Sequence, residues 1–171
     1  MFSFFTKGNA QYDQLASDFS FMDTEGKTIN LANYKDKVIV VVNVASRCGF
    51  TNQYKDLQAL WTDYKDKGLI IIGVPSNSFR QEQGTNKEIK NFCETTFGIS
   101  FPITEKLNVI GANAHPFFKW AKKNYGSGAV PKWNFHKIII GKNGKVVETF
   151  ASITKPSSKK FISTIEKEIK N

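Results

Sequence analysis

The sequence predicts an α/β sandwich built on one central sheet, with a parallel half and a hairpin half. Three observations carry that prediction. VIVVVNV (Val38–Val44) and LIIIGVP (Leu69–Pro75) are apolar on both faces, as strands in the middle of a covered sheet are. A helical pattern lies between them, so the two strands are joined by a crossover and run parallel. Near the carboxyl end, FHKIIIGKNGKVVETF reads as an antiparallel hairpin closed at Asn143-Gly144.

The elements follow in order. DFSFMDTEGKTIN, residues 18–30, alternates polar and apolar positions around Glu25-Gly26, which predicts a small N-terminal hairpin. After Val38–Val44, the residues Tyr54, Leu57, Leu60, Trp61 and Tyr64 fall three and four apart. They predict one buried face of a helix over Asn52–Lys67, stopped by Gly68. The loop SNSFRQEQG (Ser76–Gly84) follows the second strand and leads to Thr85, whose spacing to Glu88 is that of a capping box. Ile89, Phe92, Cys93 and Thr96 or Phe97 then share a helical face ended by Gly98. HPFFKWAKKN predicts a helix with Pro116 in its first turn, and Phe161, Ile162, Ile165 and Ile169 mark a C-terminal amphipathic helix.

Composition narrows the class. A length of 171 residues fits one domain, 1–171, and the 40% hydrophobic and 23% charged fractions are those of a soluble globular chain. The longest apolar run, Val38–Val42, is far below the ~20 residues of a membrane span. MFSFFTKG has no basic leader, apolar stretch or small-residue cleavage site, so no signal peptide is expected and the cytoplasm is the expected location. The net charge of +9 favours anionic partners or surfaces. Of the 24 basic residues, 22 are lysines spread along the chain without an arginine-rich run or zinc-finger spacing, the pattern of a solvated surface rather than of a nucleic-acid binder. Two cysteines 45 positions apart are too few to staple a fold with its own core, which points to thiol chemistry.

Ligands of open α/β sheets bind beyond the carboxyl ends of the parallel strands. Cys48 stands there, between the first strand and its helix, where backbone N–H groups and the helix dipole favour a thiolate over a free thiol of pKa about 8.5. Gly49 leaves room for an approaching substrate. A small buried hydrophobe is the alternative for a lone cysteine. The loop with Gln81 emerges at the same edge, and KWNF precedes a strand expected to run antiparallel beside the parallel pair, so Trp133 and Asn134 are expected to reach the sulfur. The indole and two amides are donors for a thiolate and a developing oxyanion, as opposed to core filler and surface residues. Arg47 and Arg80, the two arginines of the chain, lie in these loops and are placed to attract an anion. His115 and His136 lack a partner for a zinc site or a Cys-His dyad and read as structural. Cys48-Gly49-Phe50-Thr51 is not C-x-x-C, which disfavours dithiol exchange. A lone thiolate with neutral donors suits attack on a hydroperoxide O–O bond instead, giving a sulfenic acid that a second thiol reduces. A redox relay to a partner protein and a non-catalytic binding module are the competing classes.

NVASRCGFTNQY with Gln58, GVPSNSFRQEQG, FGISFPI, AHPFF and KWNF together resemble the glutathione peroxidase family in its cysteine form, over about Asp18 to Pro156. The resemblance implies a thioredoxin-like fold with a central mixed sheet flanked by helices, and reduction of hydrogen peroxide or organic and lipid hydroperoxides. It implies the catalytic set Cys48, Gln81, Trp133 and Asn134, with no metal and no bound cofactor. The chain departs from many relatives in reading Pro75-Ser76-Asn77-Ser78 where they carry a further cysteine. Cys93 stands about where non-animal relatives keep a resolving cysteine, which implies a Cys48–Cys93 disulfide re-reduced by thioredoxin. A buried core role for Cys93 is the alternative, with glutathione or another small thiol then the reductant. The short segment between AHPFFKW and KWNF resembles monomeric relatives and implies an uncovered site open to bulky substrates and to contact with anionic membranes.

Overall fold

The computed structural model describes residues 12–171, and the reading of MFSFFTKG falls outside the described residues. The first hairpin pairs β1 (Ser20–Met22) with β2 (Thr28–Asn30) antiparallel, as a two-stranded sheet of its own. Its turn is held by Asp23, whose carboxylate accepts the amides of Glu25 and Lys27 at 2.8 Å. The central sheet comprises β3 (Val38–Val44), β4 (Leu69–Pro75), β5 (Lys137–Ile140) and β6 (Val146–Phe150), in the spatial order β4-β3-β5-β6. β3 and β4 are parallel, with Val38 opposite Leu69 and Val44 opposite Pro75. β5 runs antiparallel to β3, with Val42 opposite Lys137, and β6 antiparallel to β5. The expected parallel half and hairpin half are both present.

Alternation along the strands divides the core into two layers. Ile39 and Val41 of β3 and Ile70, Ile72 and Val74 of β4 face Phe117, Phe118, Trp120 and Ala121 of α3 (Pro116–Tyr125) together with Phe19 and Phe21 near the first hairpin. Val38, Val40, Val42 and Val44 face the other way. There they meet Tyr54, Leu57 and Leu60 of α1 (Gln53–Tyr64), Ile89 and Cys93 of α2 (Asn86–Phe97), and Phe161 and Ile165 of α4 (Lys159–Lys170). Both faces of β3 and β4 are thus covered, which is why these strands carry no polar alternation. None of the helices is long and apolar enough to cross a membrane among the described residues.

Boundaries differ from the sequence reading in two places. α1 ends at Tyr64, and Lys65–Lys67 tighten into a 3₁₀ turn before Gly68 takes φ 103°. β5 begins at Lys137, because Phe135 takes a left-handed φ of 63° that breaks the strand before it. At the helix starts, Thr85 Oγ1 accepts the Glu88 amide at 3.2 Å, one half of the expected capping box, and the His115 Nδ1 accepts the Phe117 amide at 3.1 Å ahead of Pro116, which stands in the first turn as expected.

FGISFPI lies along β4. The Gly73 N–H donates to the Pro102 carbonyl and the Gly73 carbonyl accepts the Thr104 N–H, both at 2.9 Å. This close approach needs a glycine, since a Cβ at residue 73 would stand 2.7 Å from Ile103 Cδ1 and 3.2 Å from the Phe101 ring. Gly73→Val is therefore expected to lower the unfolding free energy by about 1–3 kcal/mol, read from urea midpoints.

Candidate active site

The site begins where β3 ends. Between Val44 and α1 the chain makes a tight turn in which Thr51 serves twice: its hydroxyl accepts the Cys48 amide at 3.0 Å and donates to the Ala45 carbonyl at 3.1 Å. That bracing leaves the Cys48 side chain partly exposed, bordering the same apolar layer as Tyr54, Phe135 and Cys93. The Phe50 N–H donates to Cys48 Sγ at 3.4 Å. The helix proper starts at Gln53, five residues on, so the backbone donor at the sulfur belongs to the turn and not to the first turn of α1.

Two further loops close over this rim. The loop after β4 is fastened to the Cys48 turn by the Arg47 N–H, which donates to the Gln81 carbonyl at 3.1 Å. The segment before β5 is fastened to β3 by Asn43, whose Nδ2 donates to the Trp133 carbonyl at 3.0 Å and whose own carbonyl accepts the Phe135 N–H. Asn134, fully buried, then donates from Nδ2 to Gln81 Oε1 at 2.9 Å. Using its oxygen in this way turns the Gln81 amide donors toward other partners. The Trp133 ring packs at 5.4 Å from that of Phe79 and stays 38% exposed, so it is neither core filler nor fully solvated. Left-handed φ values at Arg80 (62°) and Phe135 (63°) flank Gln81 and Asn134, strain that clusters beside functional groups.

Sequence reading expected Gln81, Trp133 and Asn134 at the sulfur. The structure gathers them into one frame around the ends of β3 and β4. Among the described residues, the hydrogen bond that Cys48 Sγ itself receives comes from Phe50. The polar side chains serve each other first. Arg47 and Arg80 are exposed beside this frame.

Comparison with known proteins agrees with this geometry. A family model described as glutathione peroxidase matches residues 16–122. The chain belongs to the glutathione peroxidase family. It is 46% identical over 154 residues, 87% of this chain and 93% of the relative, to the glutathione peroxidase-like peroxiredoxin HYR1 of Saccharomyces cerevisiae. It is 43% identical over 156 residues, 86% and 92% of the two chains, to the hydroperoxy fatty acid reductase gpx1 of a Synechocystis species. Among solved structures, one titled Trgpx in apo form superposes with TM-score 0.73 at 34% identity over 93% of this chain and 97% of that one. A thioredoxin family thiol:disulfide interchange protein from Chlorobium tepidum gives TM-score 0.67 at 18% identity over 88% and 92%, which shows the fold alone. The fold is thioredoxin-like, and this member of the glutathione peroxidase family is a peroxidase.

Around this peroxidase site lie groups whose ionisation burial has altered. Cys93 is 1% exposed on the inner face of α2, and desolvation pushes its thiol up to about 11. His136 is buried and held neutral, its pKa brought down to about 4 by desolvation. His115 caps α3 and stacks on Phe21 at 4.5 Å, the structural duty expected of it. Among the described residues no three His, Cys, Asp or Glu side chains gather as a metal site.

Sequence reading missed several supports. Thr51 stands three residues after Cys48, a spacing typical of hydroxyl-capped turns. Asn43 is the polar interruption of VIVVVNV, a signal that was available. Lys137 gives no signal at all. Its fully buried Nζ donates to Gln53 Oε1 at 2.7 Å and to the carbonyls of Ser152 and Thr154, tying the first residue of α1 to the loop after β6. No carboxylate lies among these acceptors, and desolvation brings the ammonium down to about 7.

Two outcomes are expected. Asn134→Ala frees Gln81 and should reduce kcat/KM for hydroperoxide by about 10²–10³ in steady-state assays. For Lys137, the unfolded chain holds the proton more tightly than the folded one, so between about 7 and 10.5 stability rises with pH. Urea unfolding at pH 7, 8 and 9 should therefore show a steeper rise for the unaltered chain than for Lys137→Met.

Proposed function

We propose that this peroxidase works through Cys48. The sulfur attacks one peroxide oxygen as a thiolate and the O–O bond breaks. Cys48 becomes a sulfenic acid, and the departing alkoxide or hydroxide leaves as alcohol or water after protonation. The observation that carries this reading is one partly exposed sulfur at the strand ends, with the Asn134–Gln81 pair and the Trp133 indole assembled around the same rim. Gln81 amide and Trp133 indole hydrogens are the donors for the developing negative charge.

Cys93 is the proposed resolving thiol and thioredoxin the proposed reductant. Supporting this, Cys93 lies in the last turn-and-a-half of α2, whose end is closed by Gly98 at φ 60° and by the Ile99 N–H donating to the Cys93 carbonyl at 3.1 Å. Opening that short end releases the sulfur, whereas the rest of the helix stays anchored by Ile89. A disulfide needs Cα atoms within ~7 Å, so α2 must open locally for the bond to form.

The substrate proposed is a bulky hydroperoxide as well as hydrogen peroxide. The Synechocystis relative is named for hydroperoxy fatty acids, and the exposed Trp133 gives this rim an apolar edge beside Lys132. Action as a monomer in the cytoplasm, with peripheral contact at anionic membranes, fits two free thiols and the net charge of +9.

Cys48→Ser should abolish hydroperoxide consumption, and undiminished turnover would remove this reading. After one equivalent of peroxide, intact-mass spectrometry should find the loss of two hydrogens in the unaltered chain and one retained oxygen in Cys93→Ser. Turnover of Cys93→Ser with thioredoxin at the unaltered rate would remove Cys93 from the resolving role, and turnover of the unaltered chain with glutathione but not with thioredoxin would make a small thiol the reductant.

A further inference from the structure

The turn that carries Cys48 hangs between two anchors. At its start the Ala45 carbonyl accepts the Thr51 hydroxyl, and β3 behind it is paired on both sides. At its end stands Gln53, the first residue of α1, a side-chain amide only 4% exposed. The Gln53 N–H donates to the Phe50 carbonyl at 2.9 Å, and the N–H of the same Phe50 is the donor at Cys48 Sγ. Where Gln53 is held therefore decides where the Phe50 backbone lies against the sulfur.

Gln53 is held by Lys137. Both ends of its amide are used: Oε1 accepts from Lys137 Nζ at 2.7 Å, and Nε2 donates to the Ser152 carbonyl at 2.7 Å. Lys137 Nζ donates to that carbonyl as well, at 3.3 Å, so the three residues close a ring that joins β5, α1 and the segment after β6. Lys137 lies opposite Val42 on β3, on the face of the sheet that packs against α1. An ammonium shut away from water with no carboxylate among its acceptors opposes folding, and two apolar side chains of similar size would fill the space at lower free energy. Burial shows in its pKa, brought down to about 7. Ionisable groups so perturbed collect at working sites.

We propose that Lys137 is a positioning residue for peroxide attack: through Gln53 it fixes the Cys48–Gln53 turn, which holds the sulfur in register with the Phe50 N–H and with the frame of Gln81, Asn134 and Trp133. This rests on the reading of Cys48 as the attacking sulfur. Lys137 itself touches neither the sulfur nor the peroxide. Cleavage of the O–O bond needs one oxygen in line with the sulfur while the donors face the other, and a misplacement of about 1 Å arising far from the chemistry lowers such a rate by about 10². Alkylation by iodoacetamide asks less, because iodide departs without a proton.

The test compares two second-order rates in a Cys93→Ser background, where Cys48 is the single thiol. One is with hydrogen peroxide, read as dimedone-trapped sulfenic acid by intact mass, and the other is with iodoacetamide. Lys137→Met should slow the peroxide reaction by about 10–100-fold and alkylation by less than about threefold. Gln53→Leu should do the same. Lys137→Met with Gln53→Leu should lose no more than either change alone, since both break one contact. Hydrogen exchange at the Phe50 amide should quicken in all three. The double variant sets two apolar side chains face to face, and it decides the matter if a single variant with an unmatched partner fails to fold. A double variant that reacts with peroxide at the unaltered rate overturns the proposal. Equal losses in both rates overturn it too, since a merely loosened fold gives that result, and additive losses overturn the route through Gln53. Loss of peroxide consumption in Cys48→Ser, with all three variants undisturbed, overturns this role alone. Undiminished consumption by Cys48→Ser overturns the reading of Cys48 on which it rests.

Discussion

Everything at the active edge depends on Asn43. It is a buried amide in a strand otherwise made of valine and isoleucine, and its side chain and main chain both reach the segment before β5. Parallel pairing to β4 puts the Gln81 loop on one side of β3, and antiparallel pairing to β5 puts Trp133 and Asn134 on the other. Asn43 converts that proximity into a fixed distance. With the Trp133 carbonyl and the Phe135 amide held, Asn134 has one place to go, and its amide meets Gln81.

Fixing these groups has a cost that the rest of the molecule offsets. Left-handed backbone at Arg80 and Phe135, unpaired oxygens on Asn43, Asn134 and Glu82, and an ammonium buried at Lys137 all oppose folding. Two apolar layers on a sheet covered on both sides supply the compensation. Destabilising features concentrate at the ends of β3 and β5, and the sheet centre is free of them, which is the distribution expected when a rigid scaffold holds a preorganised site.

Much of this was legible in the sequence. Both buried strands, the crossover helix, the Asn143-Gly144 hairpin and the proline-started α3 follow from periodicity and turn chemistry, which act over a few residues. Cys48 was placed at the strand end by the same local logic, and Gln81, Trp133 and Asn134 at the same edge by strand direction. What the three amide and indole groups do to each other was not legible. The expectation aimed all of them at the sulfur, whereas Asn134 binds Gln81 and the turn's own Phe50 amide meets Cys48. Lys137 reads as the polar start of a strand, and only its burial against Gln53 shows it as an internal cation.

By itself the sequence determined the element order, the faces the helices bury, the position of one thiol on a loop and the other on an apolar helical face, and the family to which these motifs belong. Tertiary structure alone decided which polar groups are partnered. The bonds concerned join residues 53 positions apart for Asn134 and Gln81, 84 for Lys137 and Gln53, and 90 for Asn43 and Trp133. Periodicity reports which side of an element faces inward. It holds no information about which distant side chain the sheet register brings to meet it, and hydrogen bonding is sensitive to a fraction of an ångström.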